Sequence, residues 1–144
     1  MPINPEEINF NKLNYKSYVG PSERYDFMGS SQFRLLTSLG LRSNHKLLDF
    51  GCGSLRAGKL FITFLDKGTY YGQDPNQWLI DDGLKNELGK DIIDLKKTNF
   101  SNLENFELGF TEKFDYILAQ SVFSHCNKKY LKKGINSIFN GLKN

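Results

Sequence analysis

Two short segments hold the residues best placed to do chemistry. The apolar run Leu47, Leu48, Asp49, Phe50 leads into Gly51, Cys52 and Gly53, and about twenty residues later the run Tyr70, Tyr71, Gly72, Gln73 ends in Asp74. A strand entering a glycine turn, then a helix, then a second strand ending in a carboxylate is how an open α/β sheet holds an adenosine-containing ligand at the carboxyl ends of its strands. Glycine at 51 and 53 lets the main chain pass beside a ligand without a side-chain clash. Asp74 can only accept hydrogen bonds when ionised, which suits a pair of ribose hydroxyls. Asp49 is placed to order the turn through backbone amides or to reach a ligand ammonium through water. For both carboxylates the competing reading is a turn cap.

Three ligand classes compete for Gly51–Gly58. A dinucleotide fingerprint needs a third glycine three positions after the second, and Arg56 stands there. A P-loop is nearly met, because Gly53, Gly58 and Lys59 fall in register. Its magnesium-binding hydroxyl is replaced by Leu60, however, and Asp115 precedes the later apolar strand instead of following it. P-loop nucleotide binding is the less favoured alternative. S-Adenosylmethionine needs close backbone approach but no pyrophosphate cradle, and the glycine turn paired with Asp74 favours it.

These residues need a sheet to bring them together. A chain of 144 residues suits one small domain, with residues 1–19 as a polar N-terminal arm and 20–144 as the folded unit. A helix is expected from Pro21 and Ser22 to a left-handed cap at Gly40, and strands at Lys46–Phe50, Thr69–Gln73 and Phe114–Ala119. Further helices are expected at about Leu55–Leu65, from Asn76 to Gly89, and from Asn127 onward, with one short strand within 90–112. Alternating strands and helices imply parallel pairing, so the fold class is α/β. A formal charge of +3 is too mild to imply nucleic acid. Cys52 and Cys126 are too few for a disulfide framework or a four-cysteine zinc site, and no metal site is expected. With no apolar run of signal or membrane-spanning length, a cytoplasmic location is expected.

The chain resembles the class I S-adenosylmethionine-dependent methyltransferases, in particular a bacterial type with a segment like Val19 to Asp26 ahead of one like Leu47 to Gly58. The likeness continues through Tyr70 to Asn76 and Phe114 to His125 and covers about residues 18–144. It implies a Rossmann-like, mostly parallel sheet flanked by helices. It also implies that Gly51, Cys52 and Gly53 contact the cofactor, that Asp74 with Pro75 binds the ribose, and that Gln120 and Ser121 line the methionine and acceptor side. Asn105 and Phe106 would face the adenine, Asn105 accepting from its amino group; a loop asparagine beside a core phenylalanine is the alternative. The family fold has seven strands and continues past the last helix expected here. The chain is therefore expected to be incomplete relative to it, as a truncated product or as a minimal domain completed by self-association through its exposed sheet edge.

The sulfonium makes the methyl electrophilic, so such enzymes act mainly by aligning acceptor, methyl and sulfur. A base serves only an acceptor that must lose a proton. His125, after the strand at 114–119, is the candidate, against a capping or packing role. Tyr15, Tyr18 and Tyr25 are candidates to close over the sulfonium with a ring face, against core or surface packing as the default. His45 lies in a polar turn and is expected to be exposed. Ser121 lacks the flanking glycines of a nucleophile elbow, having Ala119 and Phe123 instead. A small-molecule acceptor is expected over nucleic acid, with a protein or RNA acceptor as the alternative and no membrane as partner. The alternative of different class is a noncatalytic cofactor-binding module.

Overall fold

The structure is a computed structural model describing residues 14–144; of the arm expected over 1–19, residues 1–13 lie outside the described residues. Four strands, β1 (Leu47–Phe50), β2 (Tyr70–Gln73), β3 (Asn99–Ser101) and β4 (Tyr116–Leu118), form one parallel sheet in the order β3-β2-β1-β4. Leu47 lies opposite both Tyr70 and Tyr116, and Tyr71 opposite Asn99. A parallel neighbour must be reached by a crossover. Between β1 and β2 this is α3 (Gly58–Phe64), and between β2 and β3 it is α4 (Gln77–Gly83), a π-helical turn at Leu84–Leu88, and α5 (Lys90–Lys96). Ahead of β1 lie α1 (Tyr15–Tyr18), a 3₁₀ turn at Ser22–Arg24 and α2 (Tyr25–Ser38), and β4 is followed by α6 (Lys128–Gly141). The chain runs outward from β1 to β3 and then returns to β1's other side as β4. The resulting crevice between the carboxyl ends of β1 and β4 is the topological switch point where such sheets bind ligands.

All four residues of β1 and of β2 are buried, as expected of parallel strands covered on both faces. The two faces differ in how they are covered. On one, Leu47, Tyr70 and Leu118 join Leu36, Phe61, Ile62, Leu65 and Ile80 in the larger core. On the other, Leu48, Phe50, Tyr71 and Phe114 form a smaller cluster beneath α6 and the 102–113 loop. The only buried residues of α6 are Gly134 and Gly141, and Phe139 is 76% exposed.

Several elements depart from the sequence pattern. The α3 helix starts at Gly58, later than expected, because Leu55 adopts φ +65°. Asn127 caps α6 as expected, accepting from the Tyr130 amide at 3.1 Å, whereas Asn76 makes no side-chain cap bond. The α5 helix was not anticipated, since its charged residues hide a weak apolar period. β4 covers only the middle of the apolar run 114–119. Phe114 pairs instead with Leu142, its amide donating to Gly141 O and its carbonyl accepting from the Lys143 amide, both at 2.9 Å. No helix among the described residues is long and apolar enough to cross a membrane.

Charged and phenolic groups tie α1 and α2 to α3, to the π-helical turn and to the loop ahead of α3. Lys59 Nζ donates to Asp26 at 2.6 Å and to Glu87 at 2.7 Å, and Tyr15 donates to Glu87 at 2.7 Å. Burial alone would raise the Glu87 carboxyl, but the bonds from Lys59 and Tyr15 outweigh it and hold the group below its ordinary range. Tyr25 donates to Ser54 O at 2.8 Å. Its phenol is pushed up to about 12 by burial against the opposing Ser54 bond.

Candidate ligand-binding site

At the carboxyl end of β1 the chain turns through Gly51 at φ +82° and Gly53 at φ +52°, left-handed backbone that disfavours a side chain. Packing adds a second reason for glycine. A Cβ at 51 would lie 2.5 Å from Val122 Cγ2, and one at 53 would lie 2.9 Å from Val19 Cγ1. The turn is stitched to the end of β2: the Gly51 and Cys52 amides donate to Gln73 O at 2.7 and 3.1 Å, and the Gly53 amide donates to Asp74 Oδ2 at 3.0 Å. Asp74 Oδ1 accepts from the Asn76 amide at 2.9 Å and from Asn76 Nδ2 at 3.0 Å. Three of a carboxylate's roughly four acceptor positions are thus used, and the Asn76 side chain is the partner able to swing away.

A cavity of about 990 Å³ opens over this turn. The structure brings Gly51, Gly53, Asp74, Pro75, Asn105, Phe106, Gln120 and Ser121 to its wall. Asn105, Phe106 and Ser121 all have positive φ, at +63°, +59° and +58°. Such backbone is costly for residues with a Cβ and persists only where the surroundings impose it. For the first two the constraint comes from Gln73, which sequence reasoning did not single out. Its Nε2 donates to Leu103 O at 3.2 Å and Glu107 O at 2.6 Å, while its Oε1 accepts from the Gly109 amide at 3.0 Å. A buried amide at the end of β2 therefore shapes the loop that presents Asn105 and Phe106. The Phe106 ring packs 5.4 Å from Phe123 and 6.0 Å from Tyr130. Gln120 is exposed, with Nε2 3.4 Å from Ser121 Oγ.

Asp49 and Cys52 do not line the cavity. Side chains alternate along β1, so Asp49 shares the face of Leu47 and receives the Tyr70 hydroxyl at 2.8 Å. The turn amide that sequence reasoning offered to Asp49 is taken by Asp74 instead. Burial pushes the Asp49 carboxyl up to about 6, with the Tyr70 bond opposing and the Asp74 charge adding to the shift. The Cys52 thiol is likewise buried and raised, chiefly by desolvation. His125 is exposed, is absent from the cavity wall, and among the described residues makes no side-chain hydrogen bond. Of the three tyrosines, Tyr18 reaches the cavity, while Tyr15 and Tyr25 are engaged with Glu87 and Ser54. His45 is half-buried against Tyr116, with ring centres 5.6 Å apart, contrary to the exposure expected for it. Lys59, the P-loop lysine of the alternative reading, is held by two carboxylates and lies off the cavity wall.

Arg24 and Arg56, with Val19 and Val122, are further lining residues that spacing did not reveal. Among the described residues there is no group of three or more His, Cys, Asp or Glu able to hold a metal ion.

Residues 48–144 match the family described as a methyltransferase domain. No curated protein matches the sequence significantly. Among solved structures, the glycopeptide N-methyltransferase MtfA superposes with a TM-score of 0.65 at 12% identity, over 80% of this chain and 49% of its own. The magnesium protoporphyrin IX methyltransferase of Synechocystis PCC 6803, solved with bound SAH, gives 0.66 at 14% identity, over 85% and 53%. A TehB-like SAM-dependent methyltransferase from Corynebacterium glutamicum gives 0.61 at 21% identity, over 84% and 64%. The chain thus spans about half to two thirds of the length of these proteins, and the shared feature at such identities is the fold.

Proposed function

The chain belongs to the methyltransferase domain family, and from that premise we propose that it binds S-adenosylmethionine in the cavity over the glycine turn and transfers its methyl group to a small-molecule acceptor. The observation that carries this reading is the hydrogen bond from the Gly53 amide to Asp74, which sets the turn of β1 and the carboxylate of β2 on one cavity wall. The residues fit such a ligand. Asp74 accepts ribose hydroxyls once the Asn76 side chain yields its place. Asn105 and Phe106, held in shape by Gln73, offer an amide and a ring face to the adenine. When bound, the cofactor supplies a methyl group activated by the sulfonium. The protein's own contribution is to orient that group toward Gln120 and Ser121, where an acceptor enters, and to exclude water with Tyr18, Val19 and Val122. His125 lies off the cavity wall, so the reading uses no protein base and favours an acceptor that is nucleophilic without one.

Calorimetric titration with S-adenosylhomocysteine tests the proposal. The full chain is expected to bind it and to ignore ATP with magnesium. Asp74→Ala is expected to weaken binding by at least about tenfold, the scale of losing a charge-assisted hydrogen bond. Binding of ATP instead, or unchanged affinity in Asp74→Ala, would overturn the reading. Binding without acceptor-dependent turnover across an acceptor screen would leave a cofactor-binding module.

A further inference from the structure

One wall of the cavity is fastened by a carboxylate that lies outside it. Tyr18, Val19, Gly20 and Pro21 line the cavity, but α1, which leads into them, buries none of its residues. A four-residue helix without a buried face has little packing to keep it in place. Glu87 supplies a tie. It belongs to the π-helical turn at Leu84–Leu88, is absent from the cavity wall, and has a side chain only 9% exposed. Its two oxygens face different parts of the fold. Oε1 accepts from the Tyr15 hydroxyl at 2.7 Å and lies 3.6 Å from Lys16 Nζ, whereas Oε2 accepts from Lys59 Nζ of α3 at 2.7 Å. One oxygen therefore holds the segment that forms the wall, and the other holds Glu87 to the body of the fold.

The fastened segment fills space that the glycine turn leaves bare. A Cβ at Gly53 would lie 2.9 Å from Val19 Cγ1, so Val19 occupies that place. A ligand drawing on the bare backbone of Gly53 competes with Val19 for it. Gly20, at φ +137°, and Pro21 follow directly and lead into α2. Rotation about the Gly20 backbone would swing residues 15–19 while leaving α2 in place. Arg56 adds one bond to Val19 O at 3.0 Å, and Tyr18 sets its ring edge-on to Trp78 of α4, 5.2 Å between centres. Resting on the cofactor reading above, we propose that Glu87 is a positioning residue that fastens residues 15–21 across the cavity, and that ligand enters and leaves when its Oε1 releases Tyr15 and Lys16. Lys59 holds Glu87 to α3 throughout.

Exchange kinetics separate such a fastener from a plain support. The fastening exists with and without ligand, so weakening it should speed entry and exit together and leave affinity nearly unchanged. Trp78 is the only tryptophan of the chain, and its contact with Tyr18 makes its fluorescence a reporter of the segment. In stopped-flow mixing of the full chain with S-adenosylhomocysteine, Tyr15→Phe is expected to raise the association and dissociation rate constants alike, each by about threefold to tenfold, with Kd within about twofold. That range is the low end for a hydrogen bond to a charged group that solvent still reaches. The substitution keeps the ring that lies edge-on to Tyr25 and leaves the Lys59 bond to Glu87 intact. Glu87→Gln should shift both rates further in the same direction. Hydrogen exchange of the amides at 15–19 in ligand-free Tyr15→Phe should quicken by a similar factor. A loss of affinity carried by faster dissociation alone would make Tyr15 and Glu87 supports of the bound state and overturn the proposal, as would unchanged rates. Failure of the unmodified chain to bind S-adenosylhomocysteine would overturn the cofactor reading instead, and unchanged hydrogen exchange in the variant would then overturn the fastening as well.

Discussion

The two faces of the sheet are built to different standards. One is sealed by α2, α3 and α4 around Phe61, Ile62, Leu65 and Tyr70, each at most 2% exposed. The other is approached by α6 through its glycines, while Tyr130, Ile135 and Phe139 remain 42%, 51% and 76% exposed. Yet the cavity draws on both. Its glycine turn and Asp74 stand at the strand ends, its arginines come from the sealed side, and Phe106, Val122 and Tyr130 come from the thinner side. The contrast teaches that the rigid part of the site is the part backed by dense core. The part that would admit an acceptor rests on a loop shaped by one glutamine and on a helix with little buried area.

Three predictions bear on that contrast. Phe61→Ala should cost about 3–5 kcal/mol in chemical denaturation, the range for emptying an aromatic site in a closed core. Phe139→Ala on the opposite side should change stability by less than about 0.5 kcal/mol. Similar costs for the two would break the comparison.

The second prediction concerns how dry the sealed face is. Asp49 is ionised in an unfolded chain above about pH 4, but in the folded chain it keeps its proton up to about 6. The folded state therefore binds more protons across that window, and stability falls as pH rises through it. Asp49→Asn, which retains an acceptor for Tyr70, should abolish this fall. It should be more stable than the unmodified chain by about 3 kcal/mol at pH 8 and nearly equal to it at pH 4. A parallel pH dependence in both proteins would mean that water reaches Asp49.

The third prediction concerns Gln32 on α2. Its Nε2 is the one buried side-chain nitrogen or oxygen without a hydrogen-bond partner among the described residues. Replacing an unsatisfied buried amide by an apolar group of similar size removes a desolvation cost, so Gln32→Leu should stabilise the chain by about 1 kcal/mol. A loss of stability in thermal unfolding would show that the amide has a partner after all.

Local pattern made much of the architecture legible. Short apolar runs at 47–50 and 70–73, the glycines between them and the carboxylate at 74 are close in sequence, and one crossover helix leaves them little choice of arrangement. The α6 helix was legible from its period and its Asn127 cap, but only the structure shows that Tyr130, Ile135 and Phe139 of its apolar stripe stay exposed. Period tells which residues share a face and says nothing about whether a partner covers it.

Residue pattern was enough for the α/β class, the parallel crossovers and the pairing of a glycine turn with Asp74. Tertiary structure alone decided that Asp49 turns beneath the sheet to Tyr70, that Gln73 moulds the loop at 103–109, that His125 stays off the cavity wall, and that Arg56 reaches Val19. The reason is physical. Strand, turn and helix preferences act over a few neighbouring residues. A side chain's partner across about twenty or more positions depends on strand register, the alternation of faces and the packing of whole elements, which exist only once the chain has folded.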